Sequence, residues 1–197
     1  MYANCTSLTA TPSAFPTYPN AWSYAGMFFN CTSLKDCPVT FSFGNTGSYS
    51  WMFMNCSSLT GVPDLPNVLT RPFIYNSMFQ GCTSLKDSPT ISLTTLSDGC
   101  CKNMFMNCKN LTGITVNFTN WNDDATENWV KGVAINGEIS KPAALSEKRG
   151  PSYFPEKWVL KGPDQPLTFR ATYNSHPASV QVPANKINGH LYYKYTD

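Results

Sequence analysis

Hydrophobic and polar positions repeat with a fixed period along residues 1–118 of the chain. Five similar eight-residue boxes begin at residues 1, 27, 52, 78 and 104, and the second of them reads Met27-Phe-Phe-Asn-Cys-Thr-Ser-Leu34. The cysteines of successive copies are almost evenly spaced, and the interval between them has the length of one repeat in a solenoid protein. Five copies in register predict five stacked coils over residues 1–118.

The apolar positions of the box predict inward-facing ladders, in which equivalent side chains of neighbouring coils stack at the strand spacing of about 4.8 Å. We expect the cysteine to act there as a small buried hydrophobe. The asparagine before it is expected where the chain turns, with its amide serving unpaired backbone groups. The predicted ladders contain Cys5, Cys31, Cys56, Cys82, Cys108, Leu8, Leu34, Leu59, Leu85, Leu111, Met27, Met52, Met78 and Met104.

The eight cysteines also raise the alternatives of disulfides and a metal site. No Cys-x-x-Cys occurs and only two histidines are present, whereas zinc needs four convergent ligands, so we expect no metal. Parallel side chains on stacked coils seldom meet the torsion that a disulfide requires, so we expect free thiols in the box. Cys37, Cys100 and Cys101 lie outside the box, and the sequence leaves their redox state open.

The box Met-Phe-x-Asn/Gly-Cys-Thr-Ser-Leu closely resembles the repeat of surface-antigen (BspA-like) leucine-rich repeat proteins, over residues 1–118. Repeats of this family are frequent in gut Bacteroides-type bacteria and their phages. The resemblance implies a non-catalytic β-rich solenoid that serves adhesion or structure. The fifth copy departs from the pattern, because Thr115 stands where the other four copies have proline.

The pattern changes after residue 118, and we expect residues 119–162 to cap the last coil, whose apolar face is otherwise exposed. The segment 122–132 has the composition of a short helix, with Asn122 or Asp123 as its N-cap. Asn136-Gly137 lies between two strand-like runs, which is a strong signal for a β-hairpin.

The last region, residues 163–197, contains three segments in which apolar and polar residues alternate. These segments, 167–173, 180–182 and 191–195, predict three half-buried strands. Three strands rarely form a stable sandwich alone, so we expect a small antiparallel module, of immunoglobulin-like or related type and partial. The predicted fold class is therefore mainly β, with a five-coil solenoid, a hairpin cap and this three-stranded module.

Charge and composition narrow the classes of partner. Charged residues make up 13% of the chain and the formal net charge is +2, which is too neutral for binding dominated by nucleic-acid phosphates. No apolar run approaches the roughly 20 residues of a membrane helix. The N-terminal segment has no Lys or Arg before Lys35 and no continuous apolar core, so we expect a protein made without an export signal.

No motif for a nucleophile, a phosphate loop or a metalloenzyme is present, and the scattered carboxylates nominate no acid/base pair. We therefore predict a non-enzymatic protein without cofactors. A glycan-active enzyme, a further alternative, needs an acid/base pair that the sequence does not offer.

Two functions of the binding type remain. The favoured one is a surface or attachment component of a phage virion (a fibre, spike or decoration protein), assembled in the host cytoplasm. It would contact other virion proteins or a host surface protein or glycan, as a homo- or hetero-oligomer. The alternative is a fragment of a secreted or cell-surface bacterial adhesin. The candidate partner interface, at the two ends of the chain, comprises Met1, Tyr2, Tyr193 and Tyr195.

Overall fold

The computed structural model describes residues 2–12, 24–37, 49–61, 65 and 71–162, together with the backbone of four strands between residues 167 and 191. All regular secondary structure in these ranges is β-strand, in agreement with the predicted mainly-β class. The same ranges contain no helix long and apolar enough to span a bilayer.

Four strands form one parallel sheet in chain order: β1 (Asp87–Ile91), β2 (Gly113–Val116), β3 (Glu138–Ser140) and β4 (Val159–Lys161). The first residue of each strand pairs with the first residue of the next, so the fourth unit, the fifth unit and the segment after them contribute equivalent strands. Every second side chain points inward, since Ile114 and Val116 in β2 are buried while Thr115 between them is half-buried.

Each repeat box is a succession of tight turns, and its backbone N–H groups donate alternately within the unit and to the next unit. Met52 donates to the carbonyl of Tyr49 at 3.2 Å, within its own turn, whereas Phe53 donates to the carbonyl of Met78 in the next unit at 2.9 Å. The same alternation recurs from box to box. The backbone N–H groups of the turns thereby find hydrogen-bond acceptors without a helix or a continuous strand.

The residue before each box cysteine has a positive φ, which is the conformation of the third residue in a type II turn. The φ angles are 63°, 60°, 62° and 63° at Asn4, Asn30, Asn55 and Asn107, and 77° at Gly81. Asparagine and glycine adopt this region at the least cost, so the predicted turn is confirmed. The amide of Asn30 donates to the amide oxygen of Asn4 at 3.2 Å, a contact between side chains rather than with the backbone.

The core contains aromatic ladders that the sequence reading did not include. The second residue of each box stacks on its equivalent, and the Phe53 and Phe79 rings lie 5.7 Å apart with a 5° interplanar angle. A parallel ladder joins Tyr24 and Tyr49, whose rings are 5.9 Å apart. The full aromatic set, all buried, is Phe28, Phe53, Phe79, Phe105, Tyr24, Tyr49 and Tyr75.

The ladder residues expected from the sequence differ in burial between the first box and the rest. Cys31, Cys56, Cys82, Cys108, Leu34, Leu59, Leu85, Leu111, Met52, Met78 and Met104 are buried. Cys5, predicted as an inward residue, is exposed instead, and Leu8 and Met27 are only half-buried. The reason is that no described unit packs on the outer side of the first box.

Residues 119–162 do not form the predicted helix and hairpin. Residues 123–132 are turns, and the N–H groups of the fifth box donate to them as to another unit, for example Phe105 to the carbonyl of Trp129 at 2.8 Å. Strand β3 pairs in parallel with β2, so the chain does not fold back across Asn136-Gly137. Burial of Trp129 in the shared core outweighs the local turn signal.

Asn122 still caps a turn, since its Oδ1 accepts hydrogen bonds from the backbone N–H groups of Asp124 and Ala125, both at 3.2 Å.

Within its described residues, the C-terminal region contains four strands in two antiparallel pairs, and each of the three predicted segments overlaps one of these strands. β5 (Leu167–Tyr173) pairs with β6 (His176–Val182), and β7 (Lys186–Ile187) pairs with β8 (His190–Leu191). Both histidines stand at the first position of a strand. The end of the third predicted strand, after residue 191, lies outside the described residues.

Candidate functional site

Two positions of each unit form a strip along the turns, which we call the outer strip. They lie five and two residues before the box cysteine or its equivalent, and all but one of their residues reach the surface. The exception is Ser77, which is buried. In the first three units the strip is apolar; from the fourth unit on it is mostly polar. Its members are Ala3, Gly26, Phe29, Trp51, Met54, Ser77, Gln80, Asn103, Met106, Asn128 and Lys131.

The apolar half of the outer strip encloses an open depression of about 410 Å³. Five residues from three successive units line it: Ala3, Gly26, Phe29, Trp51 and Met54. Gly26 leaves space there because it has no side chain. The depression is therefore a concave apolar surface built across units, which is typical of a site that receives a partner.

Trp51 is exposed and holds an unfavourable backbone conformation. Its φ is 57° and 43% of its surface is accessible. A left-handed backbone costs a non-glycine residue about 1–2 kcal/mol, and an indole that is half in solvent recovers little of this by burial. The equivalent positions, also at positive φ, carry the small or turn-forming residues Gly26, Ser77, Asn103 and Asn128. Folding alone does not account for tryptophan here.

Phe73 repeats the same combination in the next unit. Its φ is 59° and 46% of its surface is accessible. The hydroxyl of Ser50 donates to the carbonyl of Phe73 at 2.5 Å, so the residue before Trp51 contacts the backbone of Phe73. The Phe73 ring lies over Gly99, where a Cβ would collide with its Cε1. Two strained, exposed aromatic residues thus lie in neighbouring units, and we call these two residues together the Trp51–Phe73 surface.

Backbone donors around the depression are already used within the fold. Trp51 N–H donates to the carbonyl of Asn76 at 2.9 Å and Met54 N–H to that of Trp51 at 3.1 Å. The N–H groups of Gly26 and Phe29 likewise donate to carbonyls of the chain, at 2.9 and 3.1 Å. The depression therefore offers mainly apolar contact, and the Trp51 indole is the one lining side chain that carries an N–H; this suits an apolar side chain of a protein partner.

Of the predicted partner-interface residues, the structure describes only Tyr2. Met1, Tyr193 and Tyr195 lie outside the described residues. Tyr2 is 38% exposed, and its ring stacks on Phe28 at 5.6 Å with a 10° interplanar angle. It therefore ends the phenylalanine ladder and contributes to the core on one side only.

Burial holds most titratable groups of the core in their uncharged forms, whereas contact with the Cys101 sulfur lowers the pKa of the Cys100 thiol. All eight cysteines are free thiols, and burial raises the pKa of Cys56 and of Cys108 to about 12. The Cys100 and Cys101 sulfurs lie 3.8 Å apart, and this contact together with burial raises the pKa of Cys101. A protonated, buried thiol is a poor nucleophile and a poor metal ligand. Within the described ranges no three His, Cys, Asp or Glu side chains are grouped so as to hold a metal ion.

A scan against protein-family models, a search of curated proteins and a search of solved structures each returned no match. The resemblance to BspA-like repeats therefore stays a prediction from the box itself.

Proposed function

We propose that this chain is a non-enzymatic binding protein built as a leucine-rich-repeat-like solenoid of the BspA-like kind. In this proposal it is a surface or attachment component of a phage virion and contacts a virion protein or a host surface. The Trp51–Phe73 surface is the contact region. The observation that carries the proposal is the strained, exposed Trp51 at the edge of an apolar depression.

The solenoid part of the proposal is supported by the regular spacing of contacts between units. Backbone donors in one box pair with carbonyls at equivalent positions of the next unit, from Tyr2 with Met27 to Asn107 with Lys131. Five boxes and the segment after them obey this rule. A stack of this kind is quasi-one-dimensional and presents an extended surface on which side chains of several units combine.

The binding part of the proposal is supported by the strained backbone of Trp51 and Phe73, which costs the folded protein free energy. Strained backbone persists where the surroundings impose it, and it clusters at functional sites. Trp51 and Phe73 are large aromatic residues of the kind that dominate protein interfaces. Stacked rings of Phe28, Phe53 and Phe79 fill the core of the same units, and a surface preorganised by such a core lowers the entropic cost of association.

For the C-terminal strands we propose a small immunoglobulin-like β module. The support is the length of the β5–β6 pair, which stays in register from Leu167 with Val182 to Tyr173 with His176. Two-strand pairs are marginally stable alone, so the module would complete itself against further β structure.

Two measurements on the native source test the assignment. Mass spectrometry of purified virions from a culture that carries the gene should find the protein in the particles. Labelled full chain should also bind the host cells of that phage. The protein in washed cell envelopes but absent from particles would instead indicate the adhesin, and absence from both would overturn both functions.

A further inference from the structure

A second concave site lies on the sheet, at the carboxyl ends of β2, β3 and β4, and it uses none of the residues of the Trp51–Phe73 surface. It is a cleft of about 240 Å³. Thr115 pairs with Ser140 and Ser140 with Lys161, so three polar side chains stand in register on the outer face of the sheet. Neighbouring strands are about 4.8 Å apart, which sets the spacing of these groups.

Two further polar residues complete the cleft. Asn117 follows β2 and is exposed, and Lys141 follows β3 and is half-buried. The Thr115 and Ser140 hydroxyls and the Asn117 amide have no hydrogen-bond partner among the described residues. Each of these groups both donates and accepts, which is the mixture that sugar hydroxyls require. The small volume suits one sugar ring rather than a drug-sized ligand.

The charge of the cleft comes from Lys141. The ammonium of Lys161 is paired with Glu138 at 2.5 Å, so these two charges cancel. Lys141 Nζ donates to the carbonyl of Leu145 at 2.7 Å and to that of Pro142 at 3.3 Å, and it has no carboxylate partner within the described part of the chain. Two of its three donors are thus used to fix its position, and the third is free for a ligand.

We propose that this cleft binds a saccharide that carries a carboxylate, as in a uronic acid. The hydroxyls of Thr115 and Ser140 and the amide of Asn117 hold the ring hydroxyls, and the ammonium of Lys141 binds the carboxylate in a charge-assisted hydrogen bond. This site is separate from the protein-binding surface, and its test does not depend on the virion assignment.

The experiment is a titration of the isotope-labelled full chain followed by NMR, with galacturonate, galactose and acetate as probes. We expect amide shifts around residues 115–117 and 140–141, and galacturonate to bind at least about fivefold more tightly than either other probe. Lys141→Gln should abolish the difference between galacturonate and galactose. The double variant Thr115→Val/Ser140→Ala should lose binding of both sugars.

Thr90→Val is the matched control, because Thr90 pairs with Thr115 on the same face but does not line the cleft. It should bind galacturonate like the unsubstituted chain, and a thermal melt should show that each variant is folded. Acetate that binds as tightly as galacturonate would overturn the proposal, because the site would then recognise an anion and not a sugar. Shifts confined to another region of the chain would overturn it as well.

Discussion

The thiol of Cys82 donates a hydrogen bond to the main-chain carbonyl of Phe53, 3.1 Å away in the preceding unit. Cys108 makes the same bond to Phe79, at 3.0 Å. The box cysteine is therefore a core residue and also a donor between units. A residue without a donor fills the space but cannot make this hydrogen bond, which helps explain the cysteine at the four buried box positions, Cys31, Cys56, Cys82 and Cys108.

Replacing Cys82 by alanine should destabilise the chain by about 1–3 kcal/mol, because a buried sulfur and its hydrogen bond are lost. Cys5→Ala is the matched control, since that thiol occupies the same box position but is exposed. It should change the free energy of unfolding by less than about 0.5 kcal/mol. Urea denaturation of both variants checks this. Equal losses in the two variants would contradict the burial difference.

Stability should fall with rising pH above the ordinary thiol pKa. Burial raises the pKa of Cys56 and Cys108 from 9.0 to about 12 in the folded chain, so the folded state keeps protons that the unfolded state releases. Their contribution is fully present below pH 9 and is lost as the pH rises from 9 towards 12. The expected slope is about 1.4 kcal/mol per pH unit for each thiol.

Urea midpoints on either side of pH 9 measure this slope. The upper pH should stay below the tyrosine pKa of 10.0, because burial also raises the pKa of Tyr49 and Tyr75. Cys56→Ala should lose its share of the slope. A free energy of unfolding that does not change between the two pH values would show that the thiols are not protonated by burial.

The packing of a sixth unit on the fifth box can be tested at Gly132. Its φ is 78°, and a Cβ there would lie 2.7 Å from Oδ1 of Asn107. Gly132→Ala should therefore cost about 1–2 kcal/mol for the backbone and more for the contact. Combined with Asn107→Gly, which removes that oxygen, the loss should be smaller than the sum of the two single losses. A double-mutant cycle measures this coupling, expected at about 0.5–3 kcal/mol. Additive losses would mean that the two residues do not touch.

The sequence predicted the period of the fold well and the path of the chain within one period less well. The even spacing of the box cysteines reappears as the offset between hydrogen-bonded units. The phenylalanine ladder was missed because Met52 and Phe53 are adjacent and both buried, which the alternation of a strand does not allow. Turns with alternating local and long-range donors permit it.

Two other features of the structure were not predicted from the sequence, each for a different physical reason. The segment containing Asn136-Gly137 has a strong local hairpin signal, but burying Trp129 against Phe105 places it in the stack instead. The apolar depression combines residues from three units. The exposure of Trp51 at its edge depends on a backbone angle that residue type does not reveal. Tryptophan in the sequence predicts a core residue more readily than a surface one.

The most direct test of the account is Trp51→Asn, measured for stability and for binding to host cells in parallel. Asparagine occupies the equivalent positions at Asn103 and Asn128 with φ of 54°, so the free energy of unfolding should change by less than about 1 kcal/mol. Trp129→Asn, at a buried indole, should instead cost about 3–5 kcal/mol. We predict that Trp51→Asn remains folded and loses at least about tenfold in cell binding. Unchanged binding by a folded Trp51→Asn chain would contradict the claim that this surface carries the function.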